Sequence, residues 1–407
     1  MASKELFSLG KIYPSDFLKP DEQPRCGPVE LKLLMDEYGL VRLSESAPKE
    51  CMWGKYWYRS GINTTMVKEL KSIVDSILPL MKFTGHDIWC DIAANDGTLL
   101  SFVPKTFVRI GIDPADDSFK EQSEKHADLI IQDYFSKDVF KNSEFGRQKI
   151  KVLTSIAMFY DVDDPSKFIK DAYDLLDDNG LWVMQVSYSL LMLKQVAFDA
   201  ICHEHKYYYS LRNLMNLLYG EGFEVRDAQL NDSNGGSLRL YIMKSCADER
   251  KYGSQPQRDI GKIRTASLME LECMLNIGAE KTWMQFYEDI KQLKTQLMRF
   301  IYAAKENGKK IWAYGASTKG NTLLQYFELD NTLIDGIAER NMEKWGLRTV
   351  GTNIPIYSEE KMRQGKPDYL LILPWHFLPE FIERESEYLQ GGGKFIVPCP
   401  KFEIIGV

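Results

Sequence analysis

The chain has 407 residues, 44% of them hydrophobic and 27% charged, with a net charge of -7 and a pI near 5.5. That length exceeds one ordinary hydrophobic core, so two or three globular domains are expected. The acidic balance excludes a broad nucleic-acid-binding surface, which needs an excess of Lys and Arg. No run of about 18 apolar residues occurs, and Met1 to Glu5 leads into no signal-like core, so a cytoplasmic protein without a membrane partner is expected. The cysteines Cys26, Cys51, Cys90, Cys202, Cys246, Cys273 and Cys399 form no C-x-x-C pair, which argues against a disulfide framework or a zinc ribbon.

Residues 1–65 read as a small, loop-rich subdomain with several short strands. Turn signals stand at Tyr13-Pro14-Ser15-Asp16 and Asp21-Glu22-Gln23-Pro24, and a short apolar segment runs from Tyr38 to Leu43. The aromatic and basic segment from Trp53 to Gly61 closes this part. Its aromatics read either as a packing seam or, at Tyr56 or Tyr58, as hydroxyl donors to a pocket. Asn63-Thr64-Thr65 then caps a helix expected from Met66 to Met81.

From 66 to 245, strand-length apolar runs alternate with helical stretches: Ile88–Ile92, Phe107–Ile112, Leu129–Ile131, Val152–Ile156, Leu181–Val186, Phe223–Ala228 and Leu238–Ile242. This is the pattern of an α/β fold with a mainly parallel, doubly wound sheet. Seven strands whose last two can form an antiparallel hairpin fit a class I methyltransferase better than a nicotinamide dehydrogenase. The first strand ends in the small, polar loop Asp91-Ile92-Ala93-Ala94-Asn95-Asp96-Gly97-Thr98, and the second ends in Asp113, 22 residues after Asp91. In nucleoside-binding α/β folds a carboxylate there accepts hydrogen bonds from both ribose hydroxyls. A loop with one glycine does not match G-x-G-x-x-G, so a nucleoside without a phosphate chain, such as S-adenosylmethionine, suits it better. The candidate cofactor-binding residues are therefore Asp91, Ala93, Asn95, Gly97, Thr98 and Asp113, with Asp133 after the third strand and Ser155 in the fourth. Asp133 also reads as a helix cap or loop carboxylate.

The polar stretch from Cys246 to Pro256 reads as a domain boundary. Helical patterns follow over Leu268–Ile277 and Thr282–Asn307, the second with Trp283, Phe286 and Ile290 on a buried face. Lys310 to Leu324 again runs strand, glycine loop, helix, which implies a second Rossmann-like unit with strands near Leu333–Ala338, Tyr369–Ile372 and Lys394–Val397. Lys319 and the loop amides from Gly315 to Asn321 either meet a diphosphate at a helix N-terminus or form a structural βα turn. The expected domains are 1–65, 66–245 and 246–407.

Two of the five histidines fall together in Cys202-His203-Glu204-His205-Lys206-Tyr207-Tyr208. As a metal site the pair is poor, because residues two apart on a helix point to different sides and no third ligand motif accompanies them. As an acid/base site it is better, since imidazole titrates near neutral pH and a carboxylate and tyrosines adjoin it. The turn Asn231 to Arg239, with Gly235-Gly236-Ser237, either brings backbone amides to a ligand or only precedes the last strand.

Tyr56-Trp57-Tyr58-Arg59-Ser60-Gly61, Asp91 to Leu100, His203-Glu204-His205 with Tyr208, Gly235-Gly236-Ser237-Leu238-Arg239 and Tyr314 to Asn321 stand in this order over nearly the whole chain. In this the chain resembles the S-adenosylmethionine-dependent sugar-nucleotide C-methyltransferases of antibiotic and surface-polysaccharide pathways. The resemblance implies a small N-terminal zinc domain, a central S-adenosylmethionine-binding domain and a C-terminal α/β domain that helps hold a nucleotide-linked sugar. It makes His205 the base, with Glu204, His203 and one of Tyr56 or Tyr58 around the reacting sugar, and Tyr208, Gly236, Ser237, Arg239, Gly315, Lys319 and Asn321 as substrate-binding residues. There are departures. Met35 and Tyr38 stand where the family has its second cysteine pair, so loss of the metal is expected. Cys202 replaces a tyrosine of the antibiotic-sugar members, and Phe159-Tyr160-Asp161 stands where some members place a histidine. An O- or N-methyltransferase on another small acceptor, or a non-catalytic scaffold, are the alternatives.

Overall fold

The computed structural model describes residues 3–53 and 57–406. The chain divides into two compact units, one made of residues 53–188 and 208–276, the other of residues 1–52, 189–207 and 277–407. The three expected consecutive segments are thus regrouped, and the packing gives the reason.

In the first unit, Asn63 caps the helix Thr64–Ile77 by accepting from the Thr65 and Met66 N–H groups. Met66, Leu70, Ile73, Val74 and Ile77 recur at helical spacing and bury one face of that helix. Among the described residues, seven strands form the sheet of this unit: β1 (Ile88–Ile92), β2 (Val108–Ile112), β3 (Leu129–Ile131), β4 (Ile150–Ile156), β5 (Leu176–Ser187), β6 (Phe223–Asn231) and β7 (Ser237–Lys244). Their order is β6-β7-β5-β4-β1-β2-β3. The first five strands pair in parallel, and β7 pairs antiparallel with both β5 and β6. This is the class I methyltransferase sheet. Every residue of β1 is buried, as befits a central strand covered on both faces.

The polar stretch after 245 is a loop within this unit, and the chain leaves only beyond Asn276. Two contacts of the helix Gln255–Met274 keep it there. Arg264 pairs with the Asp227 carboxylate of β6. Glu272 accepts from the Tyr188 hydroxyl at 2.7 Å and from the Leu211 and Arg212 N–H groups at 2.5 and 3.1 Å. It thereby satisfies donors that the start of the helix Leu211–Gly220 leaves open.

In the second unit, the strands Lys4–Ile12, Val29–Met35 and Val41–Leu43 pair antiparallel. Phe7 stacks on Tyr287 of the helix Glu280–Glu306 with ring centroids 4.5 Å apart. The N-terminal residues therefore share a core with this helix, whose buried stripe includes Trp283, Phe286 and Ile290. The segment 189–207 joins the same unit through the Leu43 N–H, which donates to the Lys206 carbonyl at 2.9 Å.

Among the described residues, a six-stranded sheet has the order Ile356–Ser358, Ile337–Glu339, Ile311–Tyr314, Tyr369–Ile372, Lys394–Val397, Glu403–Ile405. All pairs are parallel except the last. The chain starts in the middle at Ile311–Tyr314, builds outward to one side, then returns to the other at Tyr369–Ile372. Such a reversal opens a crevice beyond the carboxyl ends of those two strands.

Candidate active site

In the first unit the loop after β1 is shaped by left-handed backbone at Ala93, Asn95 and Gly97, with φ of 58°, 53° and 76°. Gly97 is required twice over, since a Cβ there would also lie 2.7 Å from the Ser123 Cα. Asp113, at the end of β2, accepts from the Asn95 N–H at 2.7 Å and from the Ala115 N–H at 2.8 Å. Burial raises its pKa. Each of its oxygens keeps a second lone pair for a ribose hydroxyl. Asp91 is buried beneath the loop and accepts from the Thr154 hydroxyl at 2.6 Å. Burial pushes it up to about 7 against that hydrogen bond.

The segment after the undescribed residues is strapped over this loop. Asn95 accepts from the Ser60 N–H and donates to the Tyr58 carbonyl, both at 3.0 Å, and Asp96 accepts from the Gly61 N–H at 2.8 Å. Thr98 donates its hydroxyl to Asp96 at 2.6 Å as the helix Thr98–Phe102 begins. Tyr58 is partly exposed. Tyr56 lies outside the described residues. Buried Asp91 near the end of β1 and half-buried Asp113 at the end of β2, beside a loop that only small or left-handed residues can form, offer hydrogen-bond acceptors suited to a nucleoside's hydroxyls.

The second unit gathers a different chemistry. His205 is buried, and its Nδ1 meets the Ala200 carbonyl at 2.8 Å. A carbonyl only accepts, so Nδ1 carries the proton and Nε2 is the lone-pair nitrogen. Burial, and then the Lys319 charge, lowers the His205 pKa to about 3. Burial raises Glu204 to about 7, against the pull of Lys319. His203 points elsewhere, its Nε2 against the Val29 carbonyl at 3.1 Å.

Lys319 lies in the first turn of the helix Thr318–Tyr326, which follows the central strand Ile311–Tyr314. Gly315 has a φ of 84° and packs against Pro374, which a Cβ there would approach to 2.6 Å. The loop is pinned as in the first unit: Glu339 accepts from the Ala316 N–H at 2.6 Å and from the Asn341 N–H at 2.7 Å. Both sheets thus use a carboxylate at the end of the neighbouring strand to hold the first βα loop.

Other expected site residues are engaged in the framework. Arg239 donates to Gln185 at 2.9 Å and to Glu69 at 2.7 Å. The Ser237 hydroxyl donates to the Ser233 carbonyl at 2.9 Å, and Gly236 supplies a φ of 113° to the turn before it. Ser155 accepts from the Trp182 indole at 2.9 Å. Asn321 donates to Ser15 at 2.7 Å and to the Asp16 carbonyl at 3.3 Å. Asp133 is exposed and accepts from the Tyr134 N–H at 2.7 Å, and Tyr208 is buried.

Two residues around Lys319 escaped the sequence reading. Asp199 is 1% exposed and accepts from the Trp375 indole at 3.1 Å. His376 follows Trp375 directly. The Lys319 charge bears on both, as on Glu204 and His205. A signal existed: His376 is one of only five histidines and stands four residues after a correctly expected strand, Tyr369–Ile372, at its carboxyl end.

Residues 63–228 match the model of a methyltransferase domain, and residues 232–400 match that of the C-methyltransferase C-terminal domain. The chain is an S-adenosylmethionine-dependent methyltransferase that carries the C-terminal domain of C-methyltransferases. It is 26% identical over 367 residues to C-methyltransferase NovU of Streptomyces niveus, covering 90% of its own length and 85% of the relative's. Among solved structures it is similar to the plantazolicin methyltransferase BpumL in complex with SAH, at 12% identity and TM-score 0.34, over 43% of this chain and 82% of that one. It is also similar to an S-adenosylmethionine-dependent methyltransferase of Clostridium acetobutylicum, at 12% identity and TM-score 0.33, over 44% and 92%. The chain's cofactor is S-adenosylmethionine. No helix among its described residues is long and apolar enough to cross a membrane.

Proposed function

We propose that the enzyme methylates a carbon beside the ketone of a nucleotide-linked sugar. Asp91, Asp113 and the loop from Ala93 to Thr98 hold the donor in the first unit, and His205, Glu204 and Lys319 act on the acceptor in the second. The observation that carries this reading is the His205–Ala200 hydrogen bond of 2.8 Å, which leaves Nε2 as a proton acceptor on a buried, neutral ring.

A carbon beside a ketone loses a proton readily when a base is placed against it and the resulting oxygen charge is stabilised. The proton passes to His205 Nε2, and the C–H electron pair moves through the new C=C bond onto the ketone oxygen as an enolate. S-adenosylmethionine, when bound, supplies the electrophilic methyl that this carbon takes, leaving S-adenosylhomocysteine. Glu204 hydrogen-bonds sugar hydroxyls. Lys319 and the N–H groups of its helix start meet the diphosphate. His203, turned to the Val29 carbonyl, holds the segment in place and takes no part in proton transfer.

The test is solvent exchange without the donor. In deuterated buffer, a panel of nucleotide-linked keto sugars should lose one ring C–H signal in the proton spectrum when wild-type enzyme is added, and not when His205→Asn is added. Methylation without any such exchange, or exchange independent of His205, overturns the reading.

A further inference from the structure

Both units fix their first βα loop with a carboxylate at the end of the neighbouring strand, Asp113 in one and Glu339 in the other. Glu339 ends the strand Ile337–Glu339, which pairs in parallel with the central strand Ile311–Tyr314, and follows Gly315 of the loop by 24 residues. In dinucleotide-binding sheets an acidic residue at this place accepts from a ribose hydroxyl.

The hydrogen bonds leave room for that role. Oε2 of Glu339 accepts from the Ala316 N–H at 2.6 Å, and Oε1 accepts from the Asn341 N–H at 2.7 Å. Each oxygen keeps a further lone pair. The residue is partly exposed, so a ligand can reach it. Two acceptor sites on one fixed carboxylate match the neighbouring pair of hydroxyls on a ribose, whereas a deoxyribose leaves one of them without its donor.

An aromatic surface adjoins the carboxylate. Trp345 follows the short turn Met342–Lys344 and donates its indole N–H to the Glu339 carbonyl at 2.7 Å. That bond fixes the direction of the ring, yet the residue is 41% exposed. A flat base stacks on such a ring. Lys344, one residue before, is buried and donates to the Ala316 carbonyl at 2.7 Å. The turn that presents the indole therefore also holds the loop that Glu339 pins.

We propose that Glu339 accepts both ribose hydroxyls of the acceptor's nucleotide, with the base on Trp345 and the diphosphate over the loop from Gly315 to Lys319. The acceptor is then a sugar linked to a ribonucleotide rather than to a deoxyribonucleotide. This rests on the nucleotide-linked reading above and adds which pentose the site selects. The strand order supports the direction of binding: the ends of Ile337–Glu339 and Ile311–Tyr314 are neighbours, about 4.8 Å apart. A nucleoside on the first places its phosphates over the loop that follows the second.

The experiment is titration calorimetry on the full chain, with the cofactor site filled by saturating S-adenosylhomocysteine. Adenosine, guanosine, cytidine and uridine diphosphates are each compared with the deoxyribose form of the same base. Wild type, Glu339→Gln and Trp345→Leu are titrated, and their thermal midpoints are recorded. In wild type the ribose form should bind roughly 10- to 100-fold tighter, as expected for a hydrogen bond to a charged group. Glu339→Gln should lose most of that preference. Trp345→Leu should weaken both forms alike, by roughly 10-fold, the value of one stacked base. Wild-type affinities for the two forms within about twofold of each other overturn the role of Glu339 and leave the keto-sugar reading standing. A Glu339→Gln variant that keeps its thermal midpoint and the full preference overturns the assignment to that side chain. Unchanged affinities in Trp345→Leu overturn the placement of the base. Absence of binding by every diphosphate overturns the nucleotide-linked reading, and the role of Glu339 with it.

Discussion

Asn95 donates its backbone N–H to the Asp113 carboxylate at 2.7 Å, so the loop after β1 is fixed to the end of β2 by the group proposed to hold the cofactor ribose. Loop shape and nucleoside recognition are thereby coupled through one side chain. Asp113→Asn keeps a carbonyl for one backbone donor and removes the charge. It should weaken S-adenosylhomocysteine binding roughly 10- to 100-fold, as expected for losing a hydrogen bond to a charged group. Titration calorimetry measures this, and unchanged affinity would place the ribose elsewhere.

Gly97→Ala tests the loop itself. With a φ of 76° and a Cβ position 2.7 Å from the Ser123 Cα, the variant should lose more than the 1–3 kcal/mol or so of a strained left-handed residue alone. Gly346→Ala, at a φ of 78° with nothing within 4 Å, is the matched control that carries only the backbone strain. Urea denaturation of both variants should rank them in that order.

His205→Asn should lower turnover roughly 100-fold or more, the range of a lost general base, while S-adenosylhomocysteine affinity stays unchanged. It also has a signature in stability. The folded pKa of His205 is lowered from 6.5 to about 3. Between those values the unfolded chain binds a proton that the folded chain refuses, so wild type loses stability as the pH falls through that window. The variant lacks this contribution. Relative to wild type its unfolding free energy should rise on acidification by up to about 1.4 kcal/mol per pH unit, read from denaturation curves at pH 7, 6 and 5.

Lys319→Met should raise the KM for a nucleotide-linked acceptor roughly 10- to 100-fold, through loss of charge-assisted hydrogen bonds, with cofactor affinity unaffected. The Lys319 charge also lowers the His205 pKa. Its removal should move the acid limb of the kcat/KM profile to higher pH. A profile identical to wild type would mean that Lys319 does not face the base in the working enzyme.

Much of the fold was legible because central strands covered on both faces are continuous apolar runs. β1, Tyr369–Ile372 and Lys394–Val397 fall where their sequence places them. Ile356–Ser358 and Glu403–Ile405 are strands of three residues at or near the sheet edge, too short to carry a periodic signal. The polar stretch from Cys246 to Pro256 lies within the first compact unit, since composition reports exposure and not packing. What holds the next helix to the first unit is the pairing of Asp227 with Arg264 and the capping of Leu211–Gly220 by Glu272, which no local pattern announces.

The sequence by itself determined the two α/β sheets, the loop from Asp91 to Thr98 with Asp113, and the imidazole at position 205, since each depends on residues close together in the chain. Only the tertiary structure decided that residues 189–207 fold with the C-terminal sheet, where Asp199, Glu204, His205, Lys319 and His376 share one electrostatic neighbourhood. The reason is physical. Burial and through-space charge set the state of a titratable group, and both come from residues far apart in the chain.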